Sequence, residues 1–311
     1  MSKLRKSLRS YLALRRALGF KLESQGRLLH RFVDFAEEQG ASFITRDLAL
    51  RFALASPHGQ PALCAKRLQI VRTFAEHQAG VDPRTEVPPH GLLPDGYIRR
   101  SPYVYSDNDI RKLIEGALRL GSRRGLRPTT FATLFRLLVV TGMRIGECLA
   151  LDCEDVDLIN GIIHVRDAKF GKSRLVPLHP SSRNALKHYA ALRHQIFPQR
   201  KGNSFFVSEL GAGLSLSQVQ HTFRKLVRRV GLRSPAGQGG PRIHDFRHGF
   251  AIRTLEHLYH AGADVERQLP ALATYLGHVD PVSTYWYLTA TPKLMRLASR
   301  RLGRERKGVR R

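Results

Sequence analysis

Residues 160–177 read Asn-Gly-Ile-Ile-His-Val-Arg-Asp-Ala-Lys-Phe-Gly-Lys-Ser-Arg-Leu-Val-Pro. Asn160-Gly161 is a strong hairpin signal, because both residues tolerate the positive φ that a tight turn needs. Ile162-Ile163-His164-Val165 follows, the chain turns again near Phe170-Gly171, and Arg174-Leu175-Val176-Pro177 supplies another short extended run. Together these segments predict a small antiparallel sheet. In both directions away from it, the apolar spacing becomes helical.

Upstream, Ser106-Asp107-Asn108-Asp109 has the form of a capping box. Ile110, Leu113, Ile114, Ala117 and Leu118 then recur at helical intervals, and Phe131, Leu134, Phe135 and Leu138 predict a second helix that Gly142 ends. Downstream the chain reads as mostly helical, interrupted by the Gly/Pro-rich stretch from Ser234 to Pro241. The first 80 residues carry three helical stripes: Leu4, Leu8, Tyr11 and Leu18; then Leu28, Leu29, Phe32, Phe35 and Ala36; then Leu63, Arg67, Ile70, Val71 and Phe74. Thr45 is placed to cap a short helix through Leu48 and Phe52. Pro83, Pro88, Pro89, Pro94 and Pro102 stop the pattern. The expected fold class is therefore mainly α with a small antiparallel β-sheet (α+β). A helical domain at 1–82, a Pro-rich linker at 83–105 and a larger domain at 106–311 complete the expected organisation.

The charge narrows the partners. Lys and Arg number 52 against 25 Asp and Glu, a formal charge of +27 over 311 residues. Divided at residue 105, the first part carries 17 − 9 = +8 and the second 35 − 16 = +19. Charge of one sign repels itself in a compact fold, so a polyanion is the expected partner, and two basic domains could close around a duplex. With 42% apolar residues, the chain can bury a sizeable core, which excludes disorder as a class. Cys64, Cys148 and Cys153 are too few for a disulfide scaffold and fit a reducing compartment. No apolar run approaches the ~18 residues that a membrane span needs. The opening MSKLRKSLRS lacks the apolar stretch of a signal peptide. A cytoplasmic, nucleoid-associated protein without a membrane partner is the expectation.

GxxxxGK[ST], HExxH and paired CxxC motifs are absent, so no P-loop or zinc site of those types is expected. The remaining candidates are Arg, Lys, His and Tyr residues in defined contexts. Arg144 follows Gly142-Met143 at a break between helical segments, in TGMRIGE. Lys169 lies in the turn before GKSRLVPL. In His244-Asp245-Phe246-Arg247-His248, His244 and Arg247 share a helix face with His248 beside them, an arrangement suited to phosphate oxygens. Leu276-Gly277-His278 is followed nine residues later by Tyr287, with Asp280-Pro281 placed to start a short helix. Taken singly, each has a plainer reading as a surface arginine or lysine, a solvated helix face, or a core aromatic.

In combination and order, TGMRIGE, the turn lysine, HDFRH and LGHVDPVSTYWY resemble the tyrosine recombinase, or phage integrase, family from Ser106 to about Pro292. The helical N-terminal region resembles that family's core-binding domain, and residues 106–311 its catalytic domain with a basic C-terminal helix or tail. Residue by residue, the resemblance implies that Arg144, Lys169, His244, Arg247, His278 and Tyr287 are the catalytic set, with Tyr287 the nucleophile. Two departures are small: Phe246 stands where leucine is common, and no histidine follows Tyr287 two residues on. Tyr285 is a rival nucleophile on a different helix face.

The implied function is site-specific cutting and rejoining of double-stranded DNA through a 3′-phosphotyrosine, as the integrase or transposase of a mobile element, with no cofactor and no metal. In that reaction Arg144 and Arg247 hold the nonbridging oxygens, His244 accepts a proton, His278 hydrogen-bonds the phosphate and Lys169 protonates the leaving oxygen. Three alternatives stay open at this point: an inactive DNA-binding homologue, a chromosome-dimer resolvase and a type IB topoisomerase-like enzyme. The resemblance further implies a tetramer on DNA, joined by exchange of C-terminal helices that Leu294, Leu297 and Ala298 would face. It leaves open an accessory protein or second recombinase.

Overall fold

A computed structural model of the chain describes residues 2–55, 61–94, 101–166, 173–199, 202–232, 240–278, 282–289 and 291–308. The chain divides into two compact units, Met1–Arg99 and Arg100–Arg311.

The first unit contains four helices: α1 (Lys3–Ala17), α2 (Glu23–Glu38), α3 (Arg46–Leu54) and α4 (Pro61–Ala79). Thr45 Oγ1 accepts from the Leu48 amide at 3.1 Å and so starts α3, as its side-chain type predicts. Leu4, Leu8, Tyr11, Leu29, Phe32, Phe52 and Phe74 meet in one core. Two apolar assignments shift. Leu18 lies just past the end of α1 and is exposed, and Leu12 is buried in its stead. On α4 the buried line runs through Cys64, Leu68, Val71, Phe74 and Ala75, leaving Leu63 exposed. Apolar residues occur on more than one side of α4, so spacing alone does not select the inward face. The carbonyls of Pro88 and Pro89 accept from the buried Arg72 guanidinium at 2.7 and 2.8 Å. The Glu86 amide donates to Ile44 O. The proline-containing segment just after α4 is thereby fastened to this unit.

The second unit begins with α5 (Asp107–Leu118), whose Ser106–Asp109 capping box is formed in both directions. α6 (Leu126–Thr141) ends at Gly142 with φ +60°, and the short α7 (Ile145–Leu149) follows. β1 (Val156–Asp157), β2 (Ile162–Val165) and β3 (Arg174–Pro177) form an antiparallel sheet in that order, with Val156 opposite Ile163 and Ile163 opposite Val176. Two residues are too few to give a strand signal, so β1 is not evident from residue pattern alone. The remaining helices are α8 (Pro180–Ile196), α9 (Leu216–Arg229), α10 (Asp245–His260), α11 (Val265–Leu276), α12 (Val282–Tyr285) and α13 (Pro292–Gly308), with a 3₁₀ turn at Trp286–Thr289.

Helix α10 lies between two apolar clusters. Phe246 packs against Tyr105, Phe135 and Phe223 in the main core. Ala251, Ile252 and Leu255 pack with Leu269, Leu272 and Leu276 of α11, Tyr287 and Leu294. The start of α10, carrying Arg247 and His248, is therefore gripped from both sides. Leu294 of α13 is completely buried within its own chain, and Leu297 and Ala298 are half-buried. Leu294→Ala is expected to lower unfolding stability by about 2–5 kcal/mol, the usual cost of an emptied leucine site, measured as a shift in the urea midpoint. An unchanged midpoint would mean that α13 is not docked on its own chain in solution.

Candidate active site

The C-terminal end of α11 organises the site. A helix end leaves carbonyls without intrahelical partners and carries partial negative charge. Here three arginines from three other segments meet three consecutive carbonyls. Arg174 Nε donates to Tyr275 O at 2.8 Å, Arg247 Nη2 to Leu276 O at 2.5 Å and Arg144 Nη2 to Gly277 O at 2.9 Å. Gly277 has φ +67°, a conformation that favours glycine, and a Cβ there would crowd Arg174 Nη1 at 2.9 Å.

Arg247 is only 2% exposed. Its Nη1 donates to Gly142 O at 2.9 Å, so one guanidinium ties the end of α6 to the end of α11. Burial, reinforced by the nearby Arg144 charge, pulls it down to about 10, which leaves it charged at neutral pH. Gly142 also needs its missing side chain, since a Cβ would meet the Phe250 ring at 2.7 Å.

Arg144 precedes α7, and Glu147 lies one turn on. Glu147 accepts from Arg144 Nη1 at 2.8 Å and from Arg174 Nη1 and Nη2 at 3.1 and 2.8 Å. Burial alone would raise the Glu147 carboxyl. The Arg174 hydrogen bonds outweigh it and, together with the Arg144 amide, bring the group down to about 2. One carboxylate thus sets the distance between two arginines and joins the first turn of α7 to β3.

The histidines and Tyr287 complete the cluster. His278 directly follows Gly277, and its Nδ1 lies 2.7 Å from Thr284 Oγ1. Its ring is nearly parallel to that of Tyr287, with centroids 6.2 Å apart. Tyr287 is 2% exposed, and its hydroxyl lies 3.0 Å from His248 Nδ1. His244 stands immediately before α10, with its ring edge-on to that of His248 at 4.7 Å. Burial, then the positive charge of Arg247, pushes the His244 imidazole down, favouring its neutral form.

Five of the six residues singled out from sequence are therefore gathered: Arg144, His244, Arg247, His278 and Tyr287. Lys169 lies outside the described residues, as do Asp280 and Pro281. Tyr287 sits in the 3₁₀ turn after α12 rather than two turns into a helix. Tyr285, the rival, is exposed. Sequence reading assigned no role to Glu147 or Arg174 and set His248 on a phosphate-facing surface, whereas its ring turns toward Tyr287. The i, i+3 spacing of Arg144 and Glu147 was the available signal for that pair. Among the described residues, no cluster of three or more His, Cys, Asp or Glu is placed to hold a metal ion. No described helix is long and apolar enough to cross a membrane.

Residues 107–293 match the phage integrase family. The chain is 44% identical over 308 residues to the integrase/recombinase-type protein y4rB of Sinorhizobium fredii, covering 98% of each chain. It is 28% identical over 189 residues to the tyrosine recombinase XerD of Ralstonia nicotianae, covering 60% of this chain and 56% of the relative. A solved structure of the Tn1549 transposon integrase in complex with transposon right end DNA shares the fold. Its TM-score is 0.64 at 18% identity, over 96% of this chain and 99% of that one.

The depressed Glu147 carboxyl has a stability consequence. Its contribution is fully present above about 4.5, the ordinary value, and is lost as pH falls toward about 2. Wild-type protein is expected to lose more stability over that window than Glu147→Gln, measured by urea unfolding at a series of pH values. Superimposable pH profiles would contradict the buried ion pair.

Proposed function

This chain belongs to the phage integrase family, and from that membership we propose that it is a site-specific tyrosine recombinase of a mobile element, cutting and rejoining double-stranded DNA through a 3′-phosphotyrosine at Tyr287. The observation that carries the reading is the meeting of the Tyr287 phenol with His248 and His278, beside two arginines held by the end of α11.

In the proposed reaction, a Tyr287 oxygen lone pair attacks the phosphorus of a DNA phosphodiester. The new O–P bond forms as the bond to the 5′-oxygen breaks, leaving a 3′-phosphotyrosine and a 5′-hydroxyl. A 5′-hydroxyl from another strand then reverses the step. The phosphodiester bond energy is kept in the covalent intermediate, so rejoining needs no separate energy source. A phenol with pKa ~10 is about one part in a thousand ionised at neutral pH, so its proton must be accepted during attack. Arg144 and Arg247 stabilise charge on the nonbridging oxygens, and each such donor can be worth ~3 kcal/mol in the transition state. Both are anchored before substrate arrives, which limits the reorganisation the reaction has to drive. His278 adds a hydrogen bond to the phosphate. His244, whose burial favours the neutral ring, is a candidate proton acceptor. Lys169 is assigned to protonate the departing 5′-oxygen.

Duplex DNA as partner is supported by the +27 formal charge. The mobile-element assignment is supported by the full-length similarity to y4rB and by a fold shared with a transposon integrase. The proposal includes a tetramer on paired DNA sites, a core-binding role for the first helical unit and action at the nucleoid. Tyr287→Phe is expected to abolish the covalent protein–DNA band while leaving DNA binding nearly intact. The assay uses nicked duplexes with randomised arms, from which wild-type protein captures its substrate on denaturing gels. A covalent band that persists in Tyr287→Phe and disappears in Tyr285→Phe would move the nucleophile.

A further inference from the structure

The Tyr287 phenol is buried, so water is poorly placed to take its proton. His248 Nδ1 lies at hydrogen-bond distance, 3.0 Å from the hydroxyl oxygen, and is itself buried. The His248 ring is fixed on several sides. It packs against Tyr287 with centroids 5.5 Å apart, against Trp286 at 5.4 Å and against His244 at 4.7 Å. Its helix is anchored next door, where Arg247 holds two carbonyls. His244 stands on the same helix one turn earlier, edge-on to His248, and it is the His248 ring that hydrogen-bond geometry places against the phenol.

We propose that His248 is the catalytic group that receives the Tyr287 proton during attack on DNA, the part otherwise given to His244; this rests on Tyr287 being the nucleophile. In the resting site the phenol O–H donates to Nδ1, which places the proton of the neutral ring on Nε2. As the oxygen lone pair forms the bond to phosphorus, the phenolic proton passes to Nδ1 and His248 becomes an imidazolium. The electrons of the breaking P–O bond go to the 5′-oxygen, which takes a separate proton from Lys169. In rejoining, the incoming 5′-hydroxyl gives its proton to the Lys169 amine left neutral by cleavage, the phosphotyrosine bond breaks, and imidazolium His248 returns a proton to the departing phenolate oxygen. His244 then serves by packing against the base and contributing to phosphate binding.

The test measures single-turnover formation of the covalent complex by the full chain, on a nicked duplex that the wild type has selected from the randomised pool. Positioned proton transfer contributes about 100-fold or more. His248→Phe is expected to slow cleavage by at least about that factor, with affinity for the same duplex unchanged within a few fold. His248→Asn keeps a hydrogen-bond acceptor but cannot take a proton at neutral pH, and is expected to be nearly as slow. His248→Ala opens space for a small base. Added imidazoles are expected to restore its rate saturably, more strongly the more basic the imidazole, an effect that loss of packing alone does not produce. A wild-type rate in His248→Asn would overturn the inference, as would failure of imidazoles to restore folded His248→Ala. A slow His244→Ala restored by imidazole beside a fast His248→Phe would return the proton to His244 while leaving Tyr287 in place. A covalent band in Tyr287→Phe would instead overturn the underlying reading.

Discussion

Three consecutive carbonyls at the end of α11 receive three guanidiniums, and the geometry of the site depends on that contact. Tyr275, Leu276 and Gly277 accept from Arg174, Arg247 and Arg144. The arginines come from β3, α10 and the residue before α7, segments far apart in sequence. Unpaired helix carbonyls attract cations within the last turn, but the attraction alone does not fix distances. The second hydrogen bond of each guanidinium, to Glu147 or to Gly142 O, holds it in place, and Gly277 leaves room for Arg174. His278 is the next residue, so the turn that gathers the arginines also sets where that imidazole begins.

Bringing three positive groups together carries a Coulombic cost, and the surroundings are arranged to offset it. Glu147 contributes a full negative charge between Arg144 and Arg174. The carbonyls of Gly142 and Leu276 do so in part for Arg247, as two close acceptors. A net positive, partly buried cluster remains. An incoming phosphate diester would relieve the repulsion that the resting protein tolerates, which links the stability of the site to its proposed substrate. The same burial keeps Tyr287 and His248 away from solvent and in contact with each other.

Much of this was legible in the residue order. Ser106 and Thr45 announce their helices because capping is a local side-chain-to-backbone contact. Asn160-Gly161 marks the β1–β2 connection for the same reason, with Gly161 at φ +72°. On α4 the expected Val71 and Phe74 are buried and Leu63 is not, because burial there depends on what packs against the helix. The site residues show the same split. Arg144, His244, Arg247, His278 and Tyr287 stood out by motif and order. Glu147 and Arg174 take their meaning from each other across 27 positions, and Arg174 from Tyr275 across 101. No local pattern carries such information. His248 was visible, but its direction was not, because which way its ring turns is decided by Trp286 and Tyr287.

An arginine-lined site that brings one phenol to one phosphodiester leaves a covalent record on that phenol. Digesting the trapped protein–DNA complex with trypsin and nuclease, then sequencing the nucleotide-bearing peptide by mass spectrometry, reads that record. The expected product is a nucleotide attached through its 3′-phosphate to Tyr287, with a free 5′-hydroxyl on the released strand. Attachment to Tyr285 or to any other side chain, or through a 5′-phosphate, would contradict it.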